Sequence, residues 1–209
     1  LLATLPQHVA AATAMDALVQ AVESYVSLGA NDMSEVFSLR AIELIGQSIR
    51  PYYANRAHPK WANMMSLGCL YAGIAWNLSL PAQVHCSNHP ITQYLHIPHG
   101  DACAILFPPF IEWNGIACKE KFHKVYNLMF PDKAIRDGFE VQMLVDEAIK
   151  LNRDLNILGG KTMKDYGCTE EIVHKIMSTF SPARPGYPRT TSREDWTKIM
   201  IKVMNGEYM

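Results

Sequence analysis

Apolar side chains recur along this chain at helical spacing. Met15, Leu18, Val22 and Tyr25 lie three or four residues apart, the interval that places side chains on one face of an α-helix. We therefore predict a first helix over about residues 9–28. The chain contains no internal repeat and no run of alternating β-branched residues, so the pattern favours an all-α fold over one that contains a sheet.

The same spacing, interrupted by glycine and proline, predicts the other helices of a bundle with eight or nine elements. Pro51 should close the second helix, because the residue before a proline is driven out of the helical region. Pro90 and Pro98 should break the segment that follows the third helix. Ser192 and Asp195 form an approximate capping box at the start of the last helix. The expected helices cover residues 32–49, 59–78, 100–114, 119–129, 139–155, 169–180 and 192–204.

Residues 61–100 contain no aspartate, glutamate, lysine or arginine, which predicts that this stretch lies in the interior. The third helix within it is apolar almost all round, the pattern of a central helix surrounded by others. Polar residues such as Asn63 and Asn77 interrupt it, so a buried core helix is a better interpretation than a membrane span. The buried helix that follows should bend near Pro108 and Pro109.

Four of the eight histidines fall within fifteen residues around this stretch: His85, His89, His96 and His99. Neutral imidazole is the commonest side-chain ligand of metal ions. Buried histidines also occur simply because they satisfy hydrogen bonds, and the residues alone leave both interpretations open. Asp16 stands on the first helix among apolar neighbours, which favours a functional role over a solvated one.

Composition and charge narrow the classes of function. The 209 residues can build one good hydrophobic core, and we treat residues 1–209 as a single helical domain. The net charge of −1 gives no attraction to nucleic acid or to an anionic membrane. The five cysteines form no C-x-x-C pair, and no signal-peptide pattern opens the chain. Both observations predict a cytoplasmic protein with reduced thiols.

A more specific signal comes from short segments that follow one another along nearly the whole chain. They are residues 14–18, 21–23, 72–77, 84–90, 97–100, 104–106 and 189–195. With these segments the chain resembles the C-terminal helical domain of the iron-containing (group III) alcohol dehydrogenases, in the dehydroquinate synthase-like superfamily. The resemblance implies a multi-helix bundle that binds a metal.

The resemblance also implies an oxidoreductase that interconverts a primary alcohol and an aldehyde or ketone with NAD or NADP. In that family a divalent metal, usually iron and sometimes zinc, is held by one aspartate and three histidines. The matching positions here are Asp16, Gln20, His85 and His99. Such a metal lowers the pKa of the alcohol and polarises the carbonyl in the reverse direction.

Two further residues take roles from the resemblance. His89 matches a histidine near the nicotinamide and the substrate, and we assign to it the relay of the alcohol proton to water. Trp76 matches a position that lines the substrate pocket. A bulky side chain there suggests a small pocket for a short-chain alcohol or aldehyde.

Gln20 departs from the family pattern, because the resemblance implies a histidine ligand at this position. A neutral amide oxygen suits hard cations better than iron or zinc. Asp16, His85 and His99 would still form a set of two histidines and one carboxylate, which is known to hold ferrous iron. Two outcomes follow: weaker metal binding, or a homologue that has lost the metal.

The nucleotide-binding half of the family is not found in this sequence. That half is an α/β domain with a glycine-rich phosphate loop, whereas the twelve glycines here are dispersed. The resemblance therefore implies a separate N-terminal domain that binds NAD(P), within a homo-oligomeric enzyme. The alternative is an isolated helical domain that docks onto a partner through an exposed apolar face and catalyses nothing.

Overall fold

The computed structural model describes residues 2–182 and 184–209. Within those two ranges the chain forms α-helices and short 3-10 segments but no strand. The α-helices are α1 (Gln7–Val26), α2 (Asp32–Ala54), α3 (Pro59–Leu78), α4 (Gln83–Leu95), α5 (His99–Met129), α6 (Val141–Asp154), α7 (Glu170–Ser178) and α8 (Arg193–Met204). The 3-10 segments are Leu2–Thr4, Pro131–Lys133, Ile157–Gly160 and Met163–Tyr166. The all-α bundle predicted from the sequence is confirmed.

Helix α1 forms the centre of the bundle. Its core face includes Met15, Leu18 and Val22, the residues whose helical spacing predicted it. Helices α2, α3 and α5 all pack against α1, while α5 also contacts α4 and α6. Asp16, which α1 turns toward α4 and α5, is therefore partly buried, with 26% of its side chain exposed.

The prediction that α3 is the central helix is wrong, although its bounds are those expected. Leu67 and Leu70 on α3 are 43% and 57% exposed. A Cβ atom on Gly68 would lie 2.6 Å from Ile45 Cγ1, so this glycine lets α3 approach α2 closely on its buried side. The buried residues of α3 are Met65, Gly68, Ala72 and Ala75. The lack of charge in residues 61–100 thus does not mean that this whole stretch is interior.

Pro51 and Pro90 lie inside helices, contrary to the prediction that they interrupt them. A proline removes one N–H from the helical ladder, and Pro51 stands in the last turn of α2, where little helix remains to disrupt. In α4, Asn88 and Ile91, which flank the pair His89 and Pro90, are fully buried. Their packing offsets the hydrogen bond that the proline removes.

The chain between α4 and α5 determines where the next histidine lies. His96 adopts a left-handed conformation (φ 55°) and ends α4, and Pro98 precedes α5 as its N-cap. Helix α5 joins the two helices predicted over residues 100–114 and 119–129. Its backbone departs from helical angles at Cys118 rather than at the prolines where a bend was expected.

Two contacts bring α4 and α5 against α1. The Glu23 carboxylate of α1 accepts a hydrogen bond from the backbone N–H of Val84 at 2.8 Å, in the first turn of α4. Gly100, in the first turn of α5, lies so close to α1 that a Cβ there would stand 2.1 Å from the Ala12 carbonyl oxygen. These contacts place the N-terminal ends of two helices beside one face of α1.

Two smaller expectations have clear outcomes. The capping box of α8 is confirmed, since Ser192 Oγ accepts from Asp195 N at 3.0 Å and Asp195 Oδ2 accepts from Ser192 N at 3.3 Å. Over the described part of the chain, no helix is long and apolar enough to cross a membrane.

Candidate metal centre

Three residues from three different helices meet beside α1. Asp16 lies on α1, His85 on α4 and His99 at the first position of α5. The Nε2 atom of His85 is 3.1 Å from Asp16 Oδ1, and the Nε2 atom of His99 is 3.5 Å from the same oxygen. The two imidazoles and the carboxylate therefore point their donor atoms at a common centre.

Cys103 joins this cluster and was not foreseen. One donor atom each from Asp16, His85, His99 and Cys103 lies within 4.8 Å of every other. His99 and Cys103 are four residues apart on α5, so they share one side of that helix. The spacing of four residues is visible in the sequence. However, the helix predicted to begin near residue 100 left out His99, so the sequence analysis did not place the two residues together.

The Glu23 carboxylate orients the imidazole ring of His85. Its side chain is fully buried, and its Oε2 atom lies 2.5 Å from His85 Nδ1. The carboxylate accepts the Nδ1 proton of the imidazole, so Nε2 is the ring atom that faces Asp16 and that can bind a metal once its own proton is displaced. A carboxylate behind a histidine is the usual support of a histidine that binds metal, because it fixes the ring and raises its basicity.

The cluster strongly attracts positive charge. Burial alone would raise the pKa of Asp16, but the hydrogen bonds and charges of His85 and His99 hold it well below its usual range. Burial would lower the pKa of His85, yet the charge of Glu23 and the hydrogen bond to Asp16 raise it to about 12. The hydrogen bond to Asp16 raises the pKa of His99 to about 10. A divalent cation would meet the same demand by displacing those protons.

The predicted residues outside this cluster line the same cleft. The ring of Trp76 lies 4.5 Å from that of His85, and the ring of His89 lies 5.2 Å from that of His99. The cleft has a volume of about 390 Å³. Its walls comprise Gln20, Trp76, Pro81, His85, Cys86, His89, His99 and Arg184.

His89 differs electrically from the histidines of the cluster. It is solvent-exposed, and it approaches the cluster only through its contact with the His99 ring. Partial burial, together with the positive charges of His99 and His85, lowers the pKa of His89. A neutral imidazole at the surface of a cleft is able to accept a proton and pass it to water.

The donor set fits a divalent transition metal. Imidazole and thiolate suit zinc and iron, and a carboxylate supplies a negative charge. Gln20 lines the cleft, but among the described residues it makes no side-chain hydrogen bond to the cluster. The neutral amide at position 20 is therefore the weakest member of the four predicted ligands.

This fold and this cluster define an all-α domain with a candidate divalent-metal site in a cleft. Residues 10–204 match the sequence pattern of the C-terminal part of the Fe-containing alcohol dehydrogenase family. The chain therefore belongs to this family, as the resemblance predicted. Membership does not favour the alternative of a non-catalytic docking module.

Individual relatives agree with the family assignment. The chain is 36% identical over 192 residues to 1,3-propanediol dehydrogenase of Klebsiella pneumoniae, covering 87% of this chain and 48% of that protein. It is 32% identical over 189 residues to the 1,3-propanediol dehydrogenase of Citrobacter freundii, covering 87% of this chain and 48% of the relative. The chain thus spans about half the length of these relatives.

Solved structures show the same relation. An alcohol dehydrogenase from Oenococcus oeni superimposes with a TM-score of 0.86 at 30% identity, over 95% of this chain and 52% of that chain. A 1,3-propanediol oxidoreductase superimposes with a TM-score of 0.86 at 27% identity, over 96% of this chain and 53% of the other. The helical bundle therefore corresponds to about half of these larger proteins.

Proposed function

We propose that this chain is the metal- and substrate-binding half of an NAD(P)-dependent alcohol dehydrogenase. The enzyme interconverts a primary alcohol and an aldehyde or ketone by hydride transfer. The observation that carries the proposal is the convergence of Asp16, His85 and His99 in a cleft that Trp76 and His89 also line. The names of the relatives, which are dehydrogenases of alcohols, support the reaction type.

The metal would be ferrous iron or zinc, held by Asp16, His85 and His99. When bound, it supplies a Lewis acid that lowers the pKa of the alcohol and polarises the carbonyl of the aldehyde. The carboxylate of Asp16 balances part of the cation charge. Glu23 keeps Nε2 of His85 aimed at the site through its 2.5 Å contact with Nδ1.

Other residues of the cleft handle the proton and the substrate. In alcohol oxidation His89 accepts the alcohol proton, directly or through one water, and releases it to solvent. The Trp76 ring, packed against His85, forms an apolar wall for the carbon chain of the substrate. Such a wall excludes water from the carbon that loses hydride and limits the length of the alcohol.

The NAD(P) site belongs to an N-terminal α/β domain that docks on this helical domain. The exposed apolar side of α3, with Leu67, Leu70 and Leu78, is a suitable docking surface because apolar patches of this kind mark interaction sites. We also propose a cytoplasmic, homo-oligomeric enzyme. Its five free cysteines suit a reducing compartment.

Spectrophotometric assays test this proposal. The helical domain alone is expected to be inactive, so the assay uses it joined to its proposed N-terminal nucleotide-binding domain. This two-domain protein is loaded with Fe²⁺ or Zn²⁺ and assayed at 340 nm with NAD⁺ or NADP⁺ and a series of primary alcohols, and in reverse with the aldehydes. We expect turnover of short alcohols that a chelator abolishes and that added metal restores. Metal-loaded two-domain protein that turns over none of these alcohols or aldehydes would contradict the proposed reaction.

A further inference from the structure

Cys103 lies where a metal ligand is needed. It is fully buried, and its Sγ atom is 3.7 Å from Asp16 Oδ1 and 3.8 Å from His85 Nε2. It occupies the side of α5 that also carries His99, one helical turn earlier. The family resemblance assigned the ligand roles to Asp16, Gln20, His85 and His99 and gave no role to Cys103.

The distances around Cys103 match those between the ligands of one ion. Zinc bonds of about 2.3 Å to sulfur and about 2.0–2.1 Å to nitrogen or oxygen give ligand–ligand separations of roughly 3.3–3.6 Å in a tetrahedral site. The separations in the structure are 3.1 Å for His85 to Asp16, 3.5 Å for His99 to Asp16, and 3.7 and 3.8 Å for the two sulfur distances. These four separations lie within a few tenths of an ångström of the tetrahedral values, and the other two, from His99 to His85 and to Cys103, are at most 4.8 Å.

Asn88 supports the sulfur in this position. Its Nδ2 atom donates a hydrogen bond to Cys103 Sγ at 2.8 Å and also lies 3.4 Å from His99 Nε2. An N–H donor stabilises a negatively charged sulfur more than a neutral one. The Oδ1 atom of Asn88 is buried without a partner among the described residues. The Asn88 amide therefore makes the contact with the sulfur at the cost of leaving its own oxygen without a hydrogen bond.

We propose that the Cys103 thiolate, rather than Gln20, is the fourth protein ligand of the metal. The thiol gives up its proton to solvent as the metal–sulfur bond forms. A soft thiolate replaces the weak amide oxygen, so the site prefers Zn²⁺ over the harder Mn²⁺ and Mg²⁺. This inference rests on the metal centre in the proposed function and adds the ligand that sets its metal preference.

Cobalt substitution tests the metal–sulfur bond directly. Metal is removed from the protein by dialysis against chelator, and Co²⁺ is titrated while the absorption spectrum is recorded. We expect an intense near-ultraviolet band from thiolate-to-cobalt charge transfer in the unaltered protein. The Cys103→Ser variant should lose this band, and its zinc affinity should fall by more than about tenfold. The band should persist in Cys86→Ser, the matched control whose thiol lines the same cleft.

The outcomes separate the inference from the proposed function. Cobalt that binds with visible d–d bands but without charge transfer would overturn the role of Cys103 and leave the metal centre intact. A band that survives in Cys103→Ser but is lost in Cys86→Ser would assign the ligand to Cys86. Protein that binds neither cobalt nor zinc would overturn both proposals.

A measurement on the unaltered protein covers the case in which Cys103→Ser does not fold. X-ray absorption at the zinc edge should detect one sulfur at about 2.3 Å beside nitrogen and oxygen ligands at about 2.0–2.1 Å. A first shell of nitrogen and oxygen alone would refute Cys103 as a ligand. In the Cys103→Ser background, Gln20→His should restore zinc affinity without restoring the cobalt band.

Discussion

His85 and His89 lie one turn apart on α4, yet they belong to two different regions of the cleft. The base is the cluster of Asp16, His85 and His99 with Glu23 behind it, and there the His85 side chain is only 7% exposed beside a fully buried Glu23. The mouth consists of His89 and Trp76, where His89 is exposed.

The two regions also shift histidine pKa values in opposite directions. The charge of Glu23 outweighs burial and raises the pKa of His85. Partial burial and the positive charges of His99 and His85 lower the pKa of His89. We therefore propose that one residue type serves two purposes: the histidines of the base hold a cation, and His89 at the mouth exchanges a proton.

The largest expected effect comes from removing a donor at the base. His99→Ala should abolish stoichiometric zinc or iron binding and reduce alcohol oxidation by more than the ~100-fold typical of losing an outer-shell partner. The His99 side chain is 35% exposed, so the helical fold should survive, as circular dichroism will show. His174→Ala, an exposed histidine on α7, is the matched control. Unchanged metal content in His99→Ala would remove His99 from the ligand set.

At the mouth, His89→Gln should separate proton transfer from metal binding. Alcohol oxidation should slow by about 100-fold, the lower end of what general acid–base catalysis contributes, while metal content stays unchanged. Protonated His89 cannot accept a proton, so activity of the unaltered enzyme should fall with decreasing pH. Because the pKa of His89 is lowered, this fall should lie below the ordinary histidine value of ~6.5. The acid limb should vanish in the variant; an unaltered pH profile would contradict the relay.

An intermediate effect on metal affinity is expected from changing Glu23, the residue that orients His85. Glu23→Gln keeps the shape of the side chain but weakens its contact with His85 Nδ1. Metal affinity should fall by about 10–100-fold, measured by competition with a chromophoric chelator. Glu43→Gln, on the surface beside Arg40, should leave metal affinity unchanged. Equal affinities for the Glu23 variant and the unaltered protein would show that Glu23 does not tune the site.

The smallest effect should come from the apolar wall. Trp76→Ala enlarges the mouth, so kcat/KM for a longer primary alcohol relative to a shorter one should rise by about tenfold, the scale of one or two methylene contacts. Metal content should not change. A uniform fall for all alcohols, with no change in their ratio, would mean that Trp76 supports His85 rather than limits chain length.

Helical periodicity was enough to predict most of the fold. The pattern of Met15, Leu18 and Val22 identified α1 and its core face, and α3 has the bounds predicted for it. The composition of α3 does not show that one side of this helix is exposed. An apolar residue such as Leu70 gives the same sequence pattern whether or not another helix covers it. Local rules also failed for Pro51 and Pro90: Pro51 stands in the last turn of α2, where little helix remains to disrupt, and packing offsets the hydrogen bond that Pro90 removes.

The candidate site was predictable only in part. The histidine cluster and the family resemblance pointed to Asp16, His85 and His99, which the fold brings together. The contact of Glu23 with His85 joins residues 62 positions apart, and no local pattern reveals such a pair. Cys103 stayed hidden because its place beside His99 depends on where α5 begins.

The central claim is that the base of the cleft holds a divalent metal, and metal content tests it most directly. Inductively coupled plasma mass spectrometry is applied to protein purified without chelator, together with Asp16→Ala and Gln20→His. We expect nearly one zinc or iron per unaltered chain, little in Asp16→Ala, and no need for the Gln20→His change. Metal found only in Gln20→His, or in none of the three proteins, would contradict the claim.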